Sequence, residues 1–100
     1  MKDKILIDQI SKSYLLSRNI VLENDLGVVK RSKRNVDAYR VIVDRIDSAI
    51  STLDDNDKYI IYNEVVLGKK GEWYRDYIST PTYYRHRKIA YNNFINSINK

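Results

Sequence analysis

The segment YISTPTYYRHRKIAYNNFI, residues 77–95, contains no acidic residue, although the rest of the chain mixes both signs of charge. It begins with a hydroxyl-rich turn, where Ser79 or Thr80 can cap a helix and Pro81 is tolerated in the first turn. Apolar residues then recur seven, four and four positions apart, which predicts a helix that runs to about Ile98 with one buried face. The residues of that face are Tyr83, Ala90, Phe94 and Ile98.

The outward side of this predicted helix carries side chains that suit contact with DNA. Arginine can pair with guanine through two hydrogen bonds, hydroxyls can hold phosphates, and tyrosine can pack on sugars or base methyl groups. A carboxylate would be repelled by the phosphates, which accounts for the missing acids. The predicted DNA-contacting residues are Thr80, Pro81, Thr82, Tyr84, Arg85, Arg87 and Lys88, together with Lys69 and Lys70 of the GKKG turn.

A plainer interpretation exists for each of these groups. Charged runs usually form a solvated helix face, which would account for Arg85, Arg87 and Lys88 without any ligand. Lys69 and Lys70 could equally belong to a surface turn. The adjoining hydroxyl-rich turn and the absence of acids favour DNA contact for the helix.

Composition narrows the class of protein. One hundred residues fit one domain, and the formal net charge of +5 favours anionic partners such as nucleic acid. The chain has no cysteine and one histidine, which excludes disulfides, cysteine zinc sites and multi-histidine metal sites. No stretch approaches the ~20 apolar residues of a membrane span, so we expect a cytoplasmic protein without a membrane partner.

Three helices are predicted upstream. The first covers about residues 2–18, and residues 19–34 break its pattern with a turn around Gly27 and a basic cluster. The second has Asn35 as its N-cap, and the third is capped by Asp55 or Asn56 and ends at Gly68. The basic cluster consists of Lys30, Arg31, Lys33 and Arg34, and the conformation of Val28 and Val29 is left open.

A further short helix is predicted for residues 72–77, with Trp73 and Tyr77 on one face. A supporting helix, a turn and a basic exposed helix form a helix-turn-helix, here about residues 72–98. The sequence thus predicts an all-α single domain of about five helices. Residues 1–34 form an N-terminal helix and a basic linker, and residues 35–100 form the helical bundle.

The segment STPTYYRHRKIAYNNFINSI, residues 79–98, resembles the last helix of phage late-gene transcriptional regulators of the ArpU type. The shared pattern is a hydroxyl-rich turn, an aromatic pair, an arginine, a basic run, an alanine and an aromatic residue. That family is similar to the C-terminal promoter-reading domain of bacterial sigma factors, and a small uncharacterised mycoplasma family has a similar layout. The resemblance covers about residues 35–100 and implies a sequence-specific DNA-binding transcriptional regulator. The matching residues are Ser79, Tyr83, Tyr84, Arg85, Lys88, Ala90 and Phe94.

The chain departs from that pattern in two places. EWYRDYIS, residues 72–79, is bulkier than the usual supporting helix, and Arg87 stands where sigma-like domains often have an apolar residue. Two other functions stay open. The bundle could bind RNA polymerase or another protein through its second helix without reading DNA, or the first helix could join copies of the chain into a homodimer or larger oligomer.

No catalytic or metal site is predicted, and no cofactor. The aspartates between residues 44 and 57 match neither a calcium loop nor a nuclease cluster. His86 and Tyr91 lack the other parts of a strand-exchange site, so we expect a non-enzyme. Six aromatic residues could form a stacking platform for single strands, but their helical spacing favours the core. These are Tyr59, Tyr62, Trp73, Tyr77, Tyr83 and Tyr91.

Overall fold

The computed structural model describes residues 2–28 and 33–100, and within them it contains helices and turns but no strand. The predicted all-α class is confirmed, with four helices instead of about five. No helix in the described part of the chain is long and apolar enough to cross a membrane. The helices are α1 (Lys2–Asp25), α2 (Lys33–Ser51), α3 (Asp55–Ile61), which continues into a π-helical turn (Tyr62–Val66), and α4 (Thr80–Ile98).

The first helix is longer than predicted. The expected end near residue 18 is wrong, because the inward-facing pattern continues to the buried Ile20 and Val21 and the helix runs to Asp25. The predicted turn follows, with Gly27 at φ +74° and the Val28 amide donating to the Glu23 carbonyl at 2.9 Å. This bond across six residues is typical of a glycine-terminated helix.

The starts of α2 and α3 each differ from the prediction by a turn or less. α2 begins at Lys33, so Asn35 lies within its first turn and is not the N-cap. Asp54 caps α3, in place of the predicted Asp55 or Asn56, and its Oδ1 accepts a hydrogen bond from the Asp57 amide at 3.0 Å. The predicted basic cluster and Val29 lie outside the described residues, except for the backbone of residues 33 and 34.

Residues 72–77 do not form the predicted supporting helix. They form hydrogen-bonded turns, in which the Arg75 amide donates to the Glu72 carbonyl and the Ile78 amide to the Tyr74 carbonyl. The expected inward pair is also wrong, because Tyr77 is 72% exposed and Tyr74 is buried instead. Bulky aromatic side chains here serve packing against α4, and the segment is too short to propagate a helix by itself.

One hydrophobic core joins all four helices. It takes buried residues from α1, α2, α3, the π-helical turn and α4. The predicted last helix is confirmed from Thr80 to Ile98, with Ser79 as N-cap, and its predicted inner face lies in this core or against it. The largest fully buried side chains are Tyr91, Phe94, Ile7, Ile60, Ile61 and Val65.

Gly68 ends the π-helical segment in the left-handed region at φ +64°, which agrees with its predicted role. An added Cβ would lie 3.1 Å from the Leu15 Cδ1 atom, whereas the same atom at Gly71, with φ +67°, would meet nothing within 4 Å.

Alanine substitution at Gly68 or at Gly71 costs about 1–2 kcal/mol in backbone strain. We predict that Gly68→Ala lowers the free energy of unfolding more than Gly71→Ala, as measured by urea denaturation. Equal losses would contradict the close approach of α1.

Candidate nucleic-acid interface

A buried carboxylate holds together the region that faces the predicted DNA-contacting helix. Glu64 is 3% exposed and accepts hydrogen bonds on both oxygens. Lys4 Nζ (3.4 Å) and the Tyr91 hydroxyl donate to Oε1, while Trp73 Nε1 (3.2 Å) and the Tyr83 hydroxyl donate to Oε2. The four donors come from α1, the 67–79 connection and α4, so this single side chain links three parts of the fold.

Glu64 lies in the π-helical turn, among buried residues. Four consecutive residues, 63–66, are buried, which an α-helix on the protein surface would not allow. The Val65 carbonyl lies in the last turn, where helix carbonyls lack an intrahelical partner, and the Ser11 hydroxyl of α1 donates to it at 2.9 Å. The Leu67 amide donates to the Tyr62 carbonyl at 3.0 Å, which is the five-residue spacing of a π-helix.

Burial and the bonds to Glu64 keep two tyrosines neutral. The pKa of Tyr83 and that of Tyr91 are both raised above the ordinary value of 10, first by burial and then by the hydrogen bond to the Glu64 carboxylate. Ionising either hydroxyl would remove a donor and place a second negative charge beside the first. Both tyrosines therefore act as structural donors.

Arg87 lies among the rings of α4 and is only partly exposed. Its guanidinium carbon is 4.7 Å from the centroid of the Tyr84 ring, 5.3 Å from that of Tyr91 and 5.8 Å from that of Tyr83. These distances are typical of cation–π contacts. Of the predicted DNA-contacting residues, Arg87 is thus the one most engaged inside the protein.

The other predicted residues of α4 lie mostly on its outer surface. Thr80, Pro81, Tyr84, Arg85 and Lys88 are exposed, with Tyr84 at 49%. Thr82 is half-buried, and its hydroxyl oxygen lies 2.9 Å from Ser79 Oγ and 3.5 Å from Arg85 Nη2. We define the α4 stripe as the exposed residues at three- and four-residue spacing, which are Pro81, Tyr84, Arg85, Lys88 and Asn92.

Lys69 and Lys70 are exposed in the turn between Gly68 and Gly71, on the same side of the molecule as Tyr84. Lys69 Nζ lies 5.9 Å from the centroid of the Trp73 ring, and Lys70 Nζ lies 3.7 Å from Asp8 Oδ1. With Lys4 and Arg87 they line a cavity of about 240 Å³. The fold thus places Lys4 beside Lys69, Lys70 and Arg87, which follow it by 65 or more positions in the sequence.

The prediction that six aromatic residues belong to the core is only partly right. Tyr83 and Tyr91 are buried, which confirms it for α4. It is wrong for Tyr59, Tyr62 and Tyr77, which are 41%, 46% and 72% exposed. Trp73 is half-buried. Tyr59 and Tyr62 lie on the side of the helix away from the buried Ile60, Ile61 and Glu64.

Asp47 on α2 and Asp57 on α3 have structural partners. Asp47 accepts a hydrogen bond from the Tyr14 hydroxyl at 2.8 Å, and the buried Asp57 accepts one from Asn93 Nδ2 at 2.7 Å. Within residues 2–28 and 33–100, no three histidine, aspartate or glutamate side chains are grouped as they would be to hold a metal ion.

Sequence reasoning missed Glu64, Tyr74 and Lys4. A signal for Glu64 was present, because it continues the inward spacing of Asp57, Ile60 and Ile61 along the third helix. Comparison with protein-family models, with curated proteins and with solved structures found no significant match for this chain.

The raised pKa values of Tyr83 and Tyr91 predict an alkaline loss of stability. A folded-state pKa above the unfolded value of about 10 gives stability that is complete below that pH and is lost as the pH rises. We predict that the free energy of unfolding begins to fall as the pH rises through about 10, where the unfolded tyrosines ionise, and continues to fall above it. The fall should be smaller in a Tyr83→Phe, Tyr91→Phe double variant, which starts about 1–3 kcal/mol less stable per lost bond.

Tyr77→Phe is the control for this measurement, because Tyr77 is exposed and should leave the wild-type pH dependence unchanged. Chemical denaturation followed by circular dichroism at each pH gives the free energies. Identical slopes for wild type and the double variant would contradict the role assigned to the two hydroxyls.

Proposed function

We propose that this chain binds double-stranded DNA through the α4 stripe, with the N-terminal half of α4 in the major groove. The observation that carries the proposal is the stripe itself. Its five residues are exposed, two of them are cationic, and residues 77–100 contain no acid. A surface with this composition attracts phosphates and offers hydrogen-bond donors to base edges.

The way α4 is held supports a rigid reading element. Its inner side is fixed by the bonds of Tyr83 and Tyr91 to Glu64 and by the bond of Asn93 to Asp57. Residues 72–77 form turns, and α3 packs against α4, so in this proposal α3 supports α4 in place of the short helix predicted from the sequence. Because these bonds fix the orientation of α4, its outward side chains keep fixed positions relative to one another.

Regulation of transcription is the finer part of the proposal. It draws on the resemblance of residues 79–98 to ArpU-type regulators and to the promoter-reading domain of sigma factors. In this scheme Arg85 reads a base, and Lys88 contacts phosphate. The protein-binding alternative, with RNA polymerase as partner, becomes the preferred function if DNA binding fails in the test below.

The test is fluorescence anisotropy of a labelled duplex with wild type and an Arg85→Ala, Lys88→Ala double variant. We predict wild-type binding that weakens steeply between about 50 mM and about 200 mM salt. The double variant should bind at least about tenfold more weakly, with a salt slope reduced by about one or more, since each lost phosphate contact removes about one.

A Lys12→Ala, Arg45→Ala double variant is the matched control. It also removes two positive charges, but from exposed positions on α1 and α2. We expect this variant to bind the duplex almost as tightly as wild type does. Equal loss in both double variants would mean that only net charge attracts the DNA. No binding by folded wild type at low salt would contradict the proposed function.

A further inference from the structure

A continuous series of aromatic rings connects α3 with α4 across the intervening turns. The ring centroids of Tyr59 and Trp73 are 5.7 Å apart, those of Trp73 and Tyr83 are 5.9 Å apart, and those of Tyr83 and Tyr84 are 5.2 Å apart. Tyr74 stacks on Tyr83 with a centroid distance of 3.6 Å and an angle of 5° between the planes. We call these five residues the ring series.

The ring series is buried in the middle and open at both ends. Tyr74 and Tyr83 are 2% and 3% exposed, whereas Tyr59 and Tyr84 are 41% and 49% exposed. Trp73, which joins the two ends, is half-buried. The buried rings belong to the core, and they fix the position of the exposed ones. The exposed ends are therefore rigid aromatic surfaces.

Positively charged side chains line a cavity beside the ring series. The cavity of about 240 Å³ is lined by Trp73 and Tyr84 and by the positively charged Lys4, Lys69, Lys70 and Arg87. Among its described lining residues, Glu72 is the one carboxylate, and it pairs with Arg75 at 2.9 Å.

Part of this positive charge is already matched. Asp8 pairs with Lys4 at 3.2 Å and with Lys70 at 3.7 Å, and Glu64 takes a further bond from Lys4. Lys69 instead lies over the Trp73 ring. Aromatic faces interleaved with cations are the arrangement by which proteins hold single strands, because bases stack on the rings while the backbone follows the positive charge.

We propose that this cavity binds one unpaired nucleotide of single-stranded DNA, with its base against Trp73 and Tyr84 and its phosphate at Lys69 and Lys70. The proposal rests in part on the proposed function, since both take DNA as ligand and both use Tyr84. A paired base exposes only its edges in the grooves, so stacking on these rings requires a base outside the duplex. At about 240 Å³ the cavity is below the roughly 300–1,000 Å³ of sites that enclose drug-sized molecules, so in this proposal it takes the base and the sugar and phosphate stay at its exposed rim, where Lys69 and Lys70 lie.

Trp73 is the one tryptophan of the chain, so its fluorescence reports directly on this cavity. The ligands are a thymidine oligomer of about ten nucleotides, an abasic oligomer of equal length and a blunt-ended duplex without unpaired bases. We expect the thymidine oligomer to quench Trp73 and to bind more tightly than the abasic oligomer, and the duplex to leave the fluorescence nearly unchanged. Equal quenching by all three ligands, or none by the thymidine oligomer, would overturn the proposal.

Two variants locate the base. Tyr84→Leu and Tyr59→Leu each remove an exposed end of the ring series while leaving the bonds of Glu64 in place. Loss of one stacking contact corresponds to about 5-fold to 150-fold weaker binding, and we expect this for Tyr84→Leu with the thymidine oligomer. Tyr59→Leu should have a smaller effect, because Tyr59 touches the cavity only through Trp73. Tyr39→Leu on α2 is the control and should bind as wild type does. Wild-type affinity in Tyr84→Leu would contradict the site.

The Arg85→Ala, Lys88→Ala variant separates the two proposals. Loss of duplex binding with retained quenching by the thymidine oligomer supports both sites. If wild type binds the duplex but does not respond to the thymidine oligomer, the nucleotide site alone is overturned. If wild type binds neither ligand, the proposed function is overturned as well.

Discussion

The carboxylate of Glu64 is the constraint on which the arrangement of this small bundle depends. A buried carboxylate is costly unless hydrogen bonds replace its lost water, and here the donors come from α1, the 67–79 connection and α4. These parts must therefore be in place together. The bonds of Glu64 also determine what the surface presents. Because Tyr83 and Tyr91 are held inward, Arg85 and Lys88 on the same helix point outward. The bond to Trp73 holds its indole between Tyr59 and Tyr83 in the ring series.

The fold could be predicted wherever periodicity was regular. The seven, four and four spacing from Tyr83 to Ile98 predicted α4 with its start and end, and the predicted start of α2 lies within one turn of the observed one. Prediction failed where tertiary contacts override local signals. The bonds of Trp73 and Tyr83 to Glu64 hold the 67–79 connection in turns, where the sequence predicted a short helix. Neither contact is visible in local sequence.

The candidate interface was predictable in part for a similar reason. An acid-free helix with a hydroxyl-rich start is a local pattern, and it led to the residues of the α4 stripe. The cavity is not local, since it combines Lys4 with Lys69, Lys70 and Arg87. Arg87 shows most clearly what a local sequence pattern does not predict. Its charge suggested DNA contact, while its neighbours at positions 83, 84 and 91 place it over three tyrosine rings.

The most direct test of this account is the free energy of unfolding of Glu64→Leu compared with a triple variant that adds Tyr83→Phe and Tyr91→Phe. Glu64→Leu leaves two buried hydroxyls and an indole N–H without an acceptor, and the account predicts a loss of about 3–5 kcal/mol. The triple variant removes the stranded hydroxyls and should recover more than about 1 kcal/mol of that loss. A Glu64→Leu protein as stable as wild type, or a triple variant less stable than the single one, would contradict the central role of this carboxylate.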